Sequence, residues 1–487
     1  MKRRRGDTSE IIPASAEPSR KLKRMGYGLQ TLNALLAFMV LKRYSETDPI
    51  CLVDWSEIAS APSDIGGLLN KKISHLENIH PELRGWFEGL DLTKAFVPDD
   101  TGCHNTWKDV ISKFSDVKLS SSDVLNPREI SYACLSITGE WFEPWSKIFA
   151  NYETPENIIQ LETALIDLQD GASIYDPFST CGRSLVVAAQ SVMKKYPDAK
   201  IRLFGQTQNE DHVLTIRLNF LLAGHPEGKV AFGDIIRNPG FLEGPKNLAR
   251  FDGIIGTLPL RLLPTNPDLK RCAWSATEDD PFKRFVYGVP PSSQAEFVFI
   301  QHCIASLTPN GRMAIIVPPM LLDREHRAGA IRTGIIKDDL VEAVISLPNK
   351  MFDFTSIILT ILVINRNKPT ERKNKILFIN AIHDFHFDKQ RNVLRPEHIQ
   401  KIVKEFQSFS DQEGYCRVCS LEEVEENGFI LDVRRYVRQK RELPPPLDLI
   451  ASLKELNAAH TTQDEKYERM RVKLDDLVDY LANNAVR

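Results

Sequence analysis

The sequence predicts an α/β fold: a mostly parallel sheet with helices on both faces, flanked by N-terminal and C-terminal helical regions. Two observations carry this. Between about residues 149 and 395, short apolar runs alternate with helical stretches of ten or more residues, as in a parallel sheet whose crossovers cover both faces. On either side of that span the apolar spacing follows the 3.6-residue helical period. A chain of 487 residues also exceeds one ordinary core and suits two or three domains.

Taken in order, residues 1–25 combine Lys2, Arg3, Arg4 and Arg5 with Ser, Pro and Glu, the composition of a flexible basic tail. Residues 26–148 read as a helical domain, with Leu29, Leu32, Leu35, Leu36 and Met39 on one face and loops at Pro62 and Pro98. Within 149–395 the expected strands are Ser173 to Tyr175, Ile201 to Phe204, Val230 to Phe232, Phe251 to Ile255, Arg312 to Val317, Leu340 to Ser346 and Thr360 to Asn365. Helices are expected between them, at Leu185 to Lys195, Asp211 to Ala223 and Glu296 to Leu307. Residues 396–487 turn helical and charged again, passing through Pro444-Pro445-Pro446 to a terminal helix from roughly Leu447 to Asn484. Its stripe of Leu453, Leu456, Tyr467, Met470, Leu474, Leu477 and Leu481 suits either packing within the chain or docking of a partner.

Composition narrows the function classes. With 42% hydrophobic and 26% charged residues, the chain reads as a soluble globular protein. It has no run of about 18 uncharged apolar residues and no apolar leader, so a cytoplasmic protein without a membrane partner is expected. A formal net charge of −3 gives no strong overall field, so any DNA contact must come from a local basic patch or from partners. Among the eight cysteines, only Cys416 and Cys419 have metal-like spacing. No second pair accompanies them, and they fall in a short strand, so no metal site is expected.

In parallel sheets ligands bind beyond the carboxyl ends of the strands, which directs attention to the turns there. The first is Asp176-Pro177-Phe178-Ser179-Thr180-Cys181-Gly182-Arg183-Ser184: an acid at a strand end and a small-residue turn into a helix, fit for close backbone approach to a nucleotide-like ligand. The same residues also make a plain strand-to-helix turn. After the second strand, where an Asp or Glu would grip both ribose hydroxyls, stands Thr207. The third turn keeps an acid, Asp234, placed either to meet an adenine amine or to cap a helix.

In their order and spacing these pieces resemble the modification subunits of Type I restriction systems, the gamma-class adenine N6 DNA methyltransferases. The resemblance runs through Tyr152-Glu153-Thr154-Pro155, Asp176-Pro177, Gly205-Gln206 with Asn209, Gly233-Asp234, Phe251-Asp252, Tyr287-Gly288, Pro290-Pro291, Gln294-Ala295-Glu296-Phe297, Gln301-His302, Leu307 to Arg312, Leu347-Pro348 and Phe352. It implies a Rossmann-like domain dependent on S-adenosylmethionine, with Asp176, Thr180, Gly182, Thr207 and Asp234 at the cofactor positions. Its catalytic turn, Asn-Pro-Pro-Phe, holds the amine of a flipped adenine by the Asn carbonyl and stacks the base on the aromatic ring. Here that turn reads Thr257-Leu258-Pro259-Leu260.

Thr257, Pro259 and Leu260 therefore stand at degenerate catalytic positions. A short β-branched hydroxyl replaces a carboxamide, and an aliphatic chain replaces a stacking surface worth about 1–3 kcal/mol. On the cofactor side, Thr180 and Arg183 replace two of the family's glycines. The expectation is a catalytically weakened or inactive relative that binds double-stranded DNA and scaffolds a restriction or defence complex; the alternative is an active adenine N6 methyltransferase. Expected partners are a specificity-type subunit, a nuclease and translocase subunit, and a second copy of the chain. Arg261, Lys270, Arg271, Lys283 and Arg284 are candidates for phosphate contacts or for a solvated basic face.

Overall fold

The computed structural model describes residues 29–51, 53–61, 64–95, 154–259, 280–290, 296–352, 355–388 and 391–438, together with residues 108, 111, 112 and scattered positions between 458 and 471. The basic tail, Tyr152-Glu153, Leu260, Arg261, Lys270, Arg271, the proline break and most of the terminal helix lie outside them. Residues up to Arg438 form one compact unit and those from Gln439 a second. In the second, the described positions are helical, and Tyr467 and Met470 of the apolar stripe are exposed.

Helix α1 (Leu29–Thr47) opens the described chain, followed by α2 (Ile65–Ile79), whose N-terminal amide at Gly67 is capped by Asp64. The expected one-sided apolar face of α1 is an underestimate: every residue from Leu32 to Leu41 is buried. A helix apolar all round is a core helix. It lies against α5 (Glu210–Ala223), where Arg43 Nη1 donates to the last-turn carbonyls of Leu221 at 3.1 Å and Leu222 at 2.6 Å, a cation placed at the negative helix end. The buried Thr215 hydroxyl donates to Asn33 Oδ1 at 2.6 Å, and Leu214, Leu218, Leu221 and Leu222 share one core with the N-terminal helices.

Between these lie α3 (Glu156–Ile166), β1 (Ser173–Asp176), α4 (Arg183–Lys195) and β2 (Arg202–Thr207). The chain continues through β3 (Lys229–Phe232), the hairpin β4 (Leu242–Gly244) and β5 (Asn247–Leu248), β6 (Phe251–Thr257), α6 (Glu296–Ala305), β7 (Leu307–Val317), α7 (His326–Lys337), β8 (Val341–Ser346) and β9 (Thr360–Asn365). It then adds β10 (Lys375–Asn380), the hairpin β11 (His386–Asp388) and β12 (Arg391–Val393), α8 (Pro396–Ser408) and β13 (Cys416–Ser420). Nine strands join in the order β13-β10-β8-β9-β7-β6-β1-β2-β3.

The pleat sorts the strand side chains onto two faces. Ile174, Ile255, Ala314 and Ile316 join the core under α3, α4 and α8, whereas Tyr175, Ile254, Met313 and Ile315 join the core under α6 and α7. All seven expected strands form, most of them longer than expected. The sheet differs from the sequence reading in two ways. β9 runs antiparallel to β7 and β8; the segment before it carries Pro348 and, among its described residues, no crossover helix. The sheet also continues past residue 395 to β13, which pairs antiparallel with β10; α8 is thus a cover of the sheet rather than the start of a separate helical region.

Cys416 and Cys419 lie in β13, as the short-strand reading expects, and each belongs to a different core. Residues three apart on a strand face opposite ways, so this pair cannot close on one metal ion. Burial holds both thiols up, at about 11 and about 12 respectively. Among the described residues no helix is long and apolar enough to cross a membrane.

Candidate active site at the switch point of the sheet

β1 sits between β2, its successor, and β6, so the strand order reverses between β1 and β6. A crevice opens at the carboxyl ends of the strands at such a switch point. The two ends that meet there carry Asp176 and Thr257. Thr154, Phe178, Thr180, Cys181, Gly182, Arg183 and Ser184 complete the cavity between them. The structure thus brings four expected site residues together: Asp176, Thr180, Gly182 and Thr257.

Asp176 is buried, and Phe178 N–H donates to its Oδ1 at 2.9 Å. Burial pushes its carboxyl up to about 7, against the opposing hydrogen bonds from Phe178 and Ser184. Gly256 passes close by, with φ of 145°. A β-carbon there would sit 2.9 Å from Asp176 Oδ1, so only glycine lets β6 approach this acid.

Gly182 starts α4 in the left-handed region, φ 77°. A β-carbon on it would lie 3.0 Å from Ile216 and 3.1 Å from Phe220, both on α5. This glycine is therefore fixed by a tight turn and by helix packing. Arg183, the first residue of α4, is ion-paired with Glu156 at 3.5 Å; the acid offsets a cation at the positive end of a helix.

Thr257 is buried and its Oγ1 lies 2.7 Å from Thr154 Oγ1. Leu258 is wholly buried, and its N–H donates to Ile316 O at 3.0 Å. Pro259 is half-buried. The turn is thereby pinned from both sides, by a side-chain bond on one residue and a backbone bond on the next.

Thr207 and Asp234 do not line this cavity. The buried Thr207 Oγ1 accepts from Asn209 N–H at 3.3 Å, shaping the entry to α5. Asp234 Oδ1 accepts from Ile236 N–H at 2.8 Å, the capping use open to an acid in a loop. Next to Thr207, the fully buried Gln206 accepts from Tyr175 Oη and Gly240 N–H and donates to the carbonyls of Gly233 and Asn238. Gln206 is the strut that ties the third turn to β2.

Four residues near the site carry roles that the sequence does not assign: Thr154 and Phe178, which stand within quoted motifs, and Gly256 and Glu162. Thr154-Pro155 before a helix marked the first in outline. Glu162, on the inner face of α3, is fully buried with both carboxylate oxygens outside ordinary hydrogen-bond geometry. Burial and the Asp176 charge hold its carboxyl well above the usual range, against the nearby Gly256 amide. A single Glu in an apolar helical stretch was the available signal.

Arg284 corrects the phosphate-contact expectation. Its guanidinium is buried, paired with Asp280 at 2.8 Å, and donates to the carbonyls of Ile235 and Ile236. It braces the loop after β3, and its side chain is almost wholly buried.

The family profile described as N-6 DNA Methylase matches residues 146–443. The chain belongs to the N-6 DNA methylase family. Within that family it is similar to the Type I restriction enzyme MjaVIII methylase subunit of Methanocaldococcus jannaschii, 29% identical over 440 residues, covering 87% of this chain and 72% of the relative. Its fold matches the type I restriction-modification methyltransferase subunit of Streptococcus thermophilus with a TM-score of 0.68 at 20% identity, over 88% of this chain and 99% of that one. A structure titled for complex assembly and conformational transition of a type I R-M system matches with a TM-score of 0.61 at 17% identity, over 97% and 98%. The mostly parallel sheet with helices on both faces is accordingly the fold of an N-6 DNA methylase, and Asp176 and Thr257 mark its crevice.

Proposed function

We propose that this N-6 DNA methylase relative has lost efficient methyl transfer and serves as a DNA-binding scaffold subunit in a Type I restriction or defence complex. The observation that carries the reading is the cavity bounded by Asp176, Thr180, Arg183, Thr154 and Thr257. Its volume of about 10 Å³ is room for about one water molecule, whereas ligand sites usually span about 300–1,000 Å³. This lining supports the reading on the cofactor side, with the Thr180 and Arg183 side chains at the turn that the methionine arm of S-adenosylmethionine would approach.

The target side supports the same reading. A methyl-accepting amine needs a positioned acceptor, and loss of one such polar group costs on the order of 3–4 kcal/mol in the transition state. Thr257 offers one hydroxyl already engaged by Thr154. On the ribose side Thr207 is turned to Asn209. The assembly role rests on the relatives, which are methylase subunits by name, and on the assembly theme of one matching structure. A specificity-type subunit, a nuclease and translocase subunit and a second copy are the partners this reading assigns, with duplex DNA as the shared ligand.

The second reading, an active adenine N6 methyltransferase, draws on Asp176, Asp234 and Pro259, which keep the family's residue types at their places. Calorimetric titration of the isolated chain with S-adenosylmethionine separates the two: the scaffold reading expects no saturable binding, and tight binding of one molecule per chain overturns it. A methylation map of host DNA with all partners present checks the outcome in the cell. New N6-methyladenine dependent on this chain would establish the second reading.

A further inference from the structure

The opposite end of the sheet holds a groove with a chemistry of its own. β6 is seven residues long, so Arg250, just before it, lies about 20 Å from Thr257 at its end. Arg250 borders a cavity of about 840 Å³, within the size range of small-molecule sites. The β4–β5 hairpin contributes Lys246, the turn ahead of α6 contributes Lys283 and Tyr287, and the residue following β9 contributes Arg366.

The charges in this groove do not balance. Its carboxylates are Glu243 and Asp338, and Asp338 Oδ2 already accepts the Tyr287 hydroxyl at 2.6 Å. Arg284 also lines the wall, but Asp280 neutralises it. Lys246, Arg250, Lys283 and Arg366 remain, and among the described residues no ion pair holds any of them. Arg366 is fixed in place, its Nη1 donating to Leu307 O at 3.0 Å and its backbone N–H to Gly311 O at 3.1 Å. Burial, and then the charge of Arg250, lower its pKa, and Arg250 borders the same cavity from the residue before β6. Two guanidinium groups lining one cavity are relieved of mutual repulsion by an anion between them, and a guanidinium's planar fork matches phosphate oxygens. A concave wall admits a small ligand more readily than the convex surface of a duplex.

We propose that this groove is a second ligand site, for a small phosphate-rich anion of the nucleoside diphosphate class, held by Arg250 and Arg366 with Lys246 and Lys283 at its rim. The site is independent of methyl transfer. The test is calorimetric titration of the full chain with pyrophosphate and with ADP. One ion is expected to bind per chain, more weakly as salt is raised. Arg250→Ala and Lys246→Ala change exposed residues and are expected each to weaken binding by about tenfold or more, with thermal melting unchanged. Absence of saturable pyrophosphate or ADP binding overturns the proposal, as does binding that survives the double variant. Duplex DNA binding that is lost in Arg250→Ala but is not displaced by pyrophosphate also overturns it, because the groove would then hold a nucleic-acid backbone.

Discussion

Thr154 and Thr257 share a buried hydrogen bond of 2.7 Å that joins the segment ahead of α3 to the end of β6 across 103 positions of sequence. One hydroxyl donates and the other accepts, so each is the partner of the other in a nearly closed site. Thr154→Val or Thr257→Val alone is expected to lower stability by about 1–3 kcal/mol, since each strands a buried polar partner. The double variant removes both and is expected to fall well short of the sum. Urea unfolding of the four proteins measures the coupling; additive losses would mean that the two hydroxyls do not depend on each other.

Gly182 and Gly171 both adopt left-handed backbone, φ 77° and 75°, but only Gly182 faces neighbours: a β-carbon on Gly171 would meet nothing within 4 Å. Gly171→Ala is expected to show the conformational cost alone, about 1–2 kcal/mol. Gly182→Ala adds the clash with Ile216 and Phe220 and is expected to lower the melting temperature further. Equal shifts in the two variants would place no weight on the contact with α5.

Asp176 and Glu162 set a pH dependence of definite sign. A carboxyl whose pKa is raised in the native state binds its proton more tightly folded than unfolded, so its contribution favours folding at low pH and is lost as pH rises. For Asp176 the window runs from the ordinary value of 3.8 to about 7, with a span on the order of 4 kcal/mol as an upper bound. Denaturant midpoints at pH 5 and pH 8 are expected to differ less in Asp176→Asn than in the wild type. Glu162→Leu replaces a buried acid by an apolar chain and is expected to raise the midpoint at pH 8. A lower midpoint there would show that the Glu162 carboxylate is compensated.

Arg284→Met is expected to destabilise the chain by about 3–5 kcal/mol, because it leaves the Asp280 carboxylate buried without its partner. The salt dependence of DNA binding is expected to be unchanged, since this guanidinium lies inside. A shallower salt slope at unchanged stability would return Arg284 to the surface.

Period-2 and period-3.6 patterns make the strands and helices around Asp176 legible in the sequence alone, because burial on two faces leaves continuous apolar runs such as Met313 to Val317. Direction is not legible: Thr360–Asn365 has the composition of a central strand whichever way it runs, and only the missing crossover helix ahead of it decides. The site is legible where a residue type is itself unusual, as with Thr257 at an Asn position. It is not legible where the role comes from a contact distant in sequence. Thr154 acquires meaning only once it meets Thr257, and Arg284 reads as a surface cation until Asp280 and the Ile235 and Ile236 carbonyls enclose it.

Leu258, which the resemblance sets at the first proline of the family's turn, is wholly inside and its N–H is bonded to Ile316. Changing it to proline would delete that bond and empty part of a packed interior, where losing a leucine side chain typically costs about 2–5 kcal/mol. On this structure, writing Asn-Pro-Pro-Phe into the turn carries a folding cost that is separate from any question of activity.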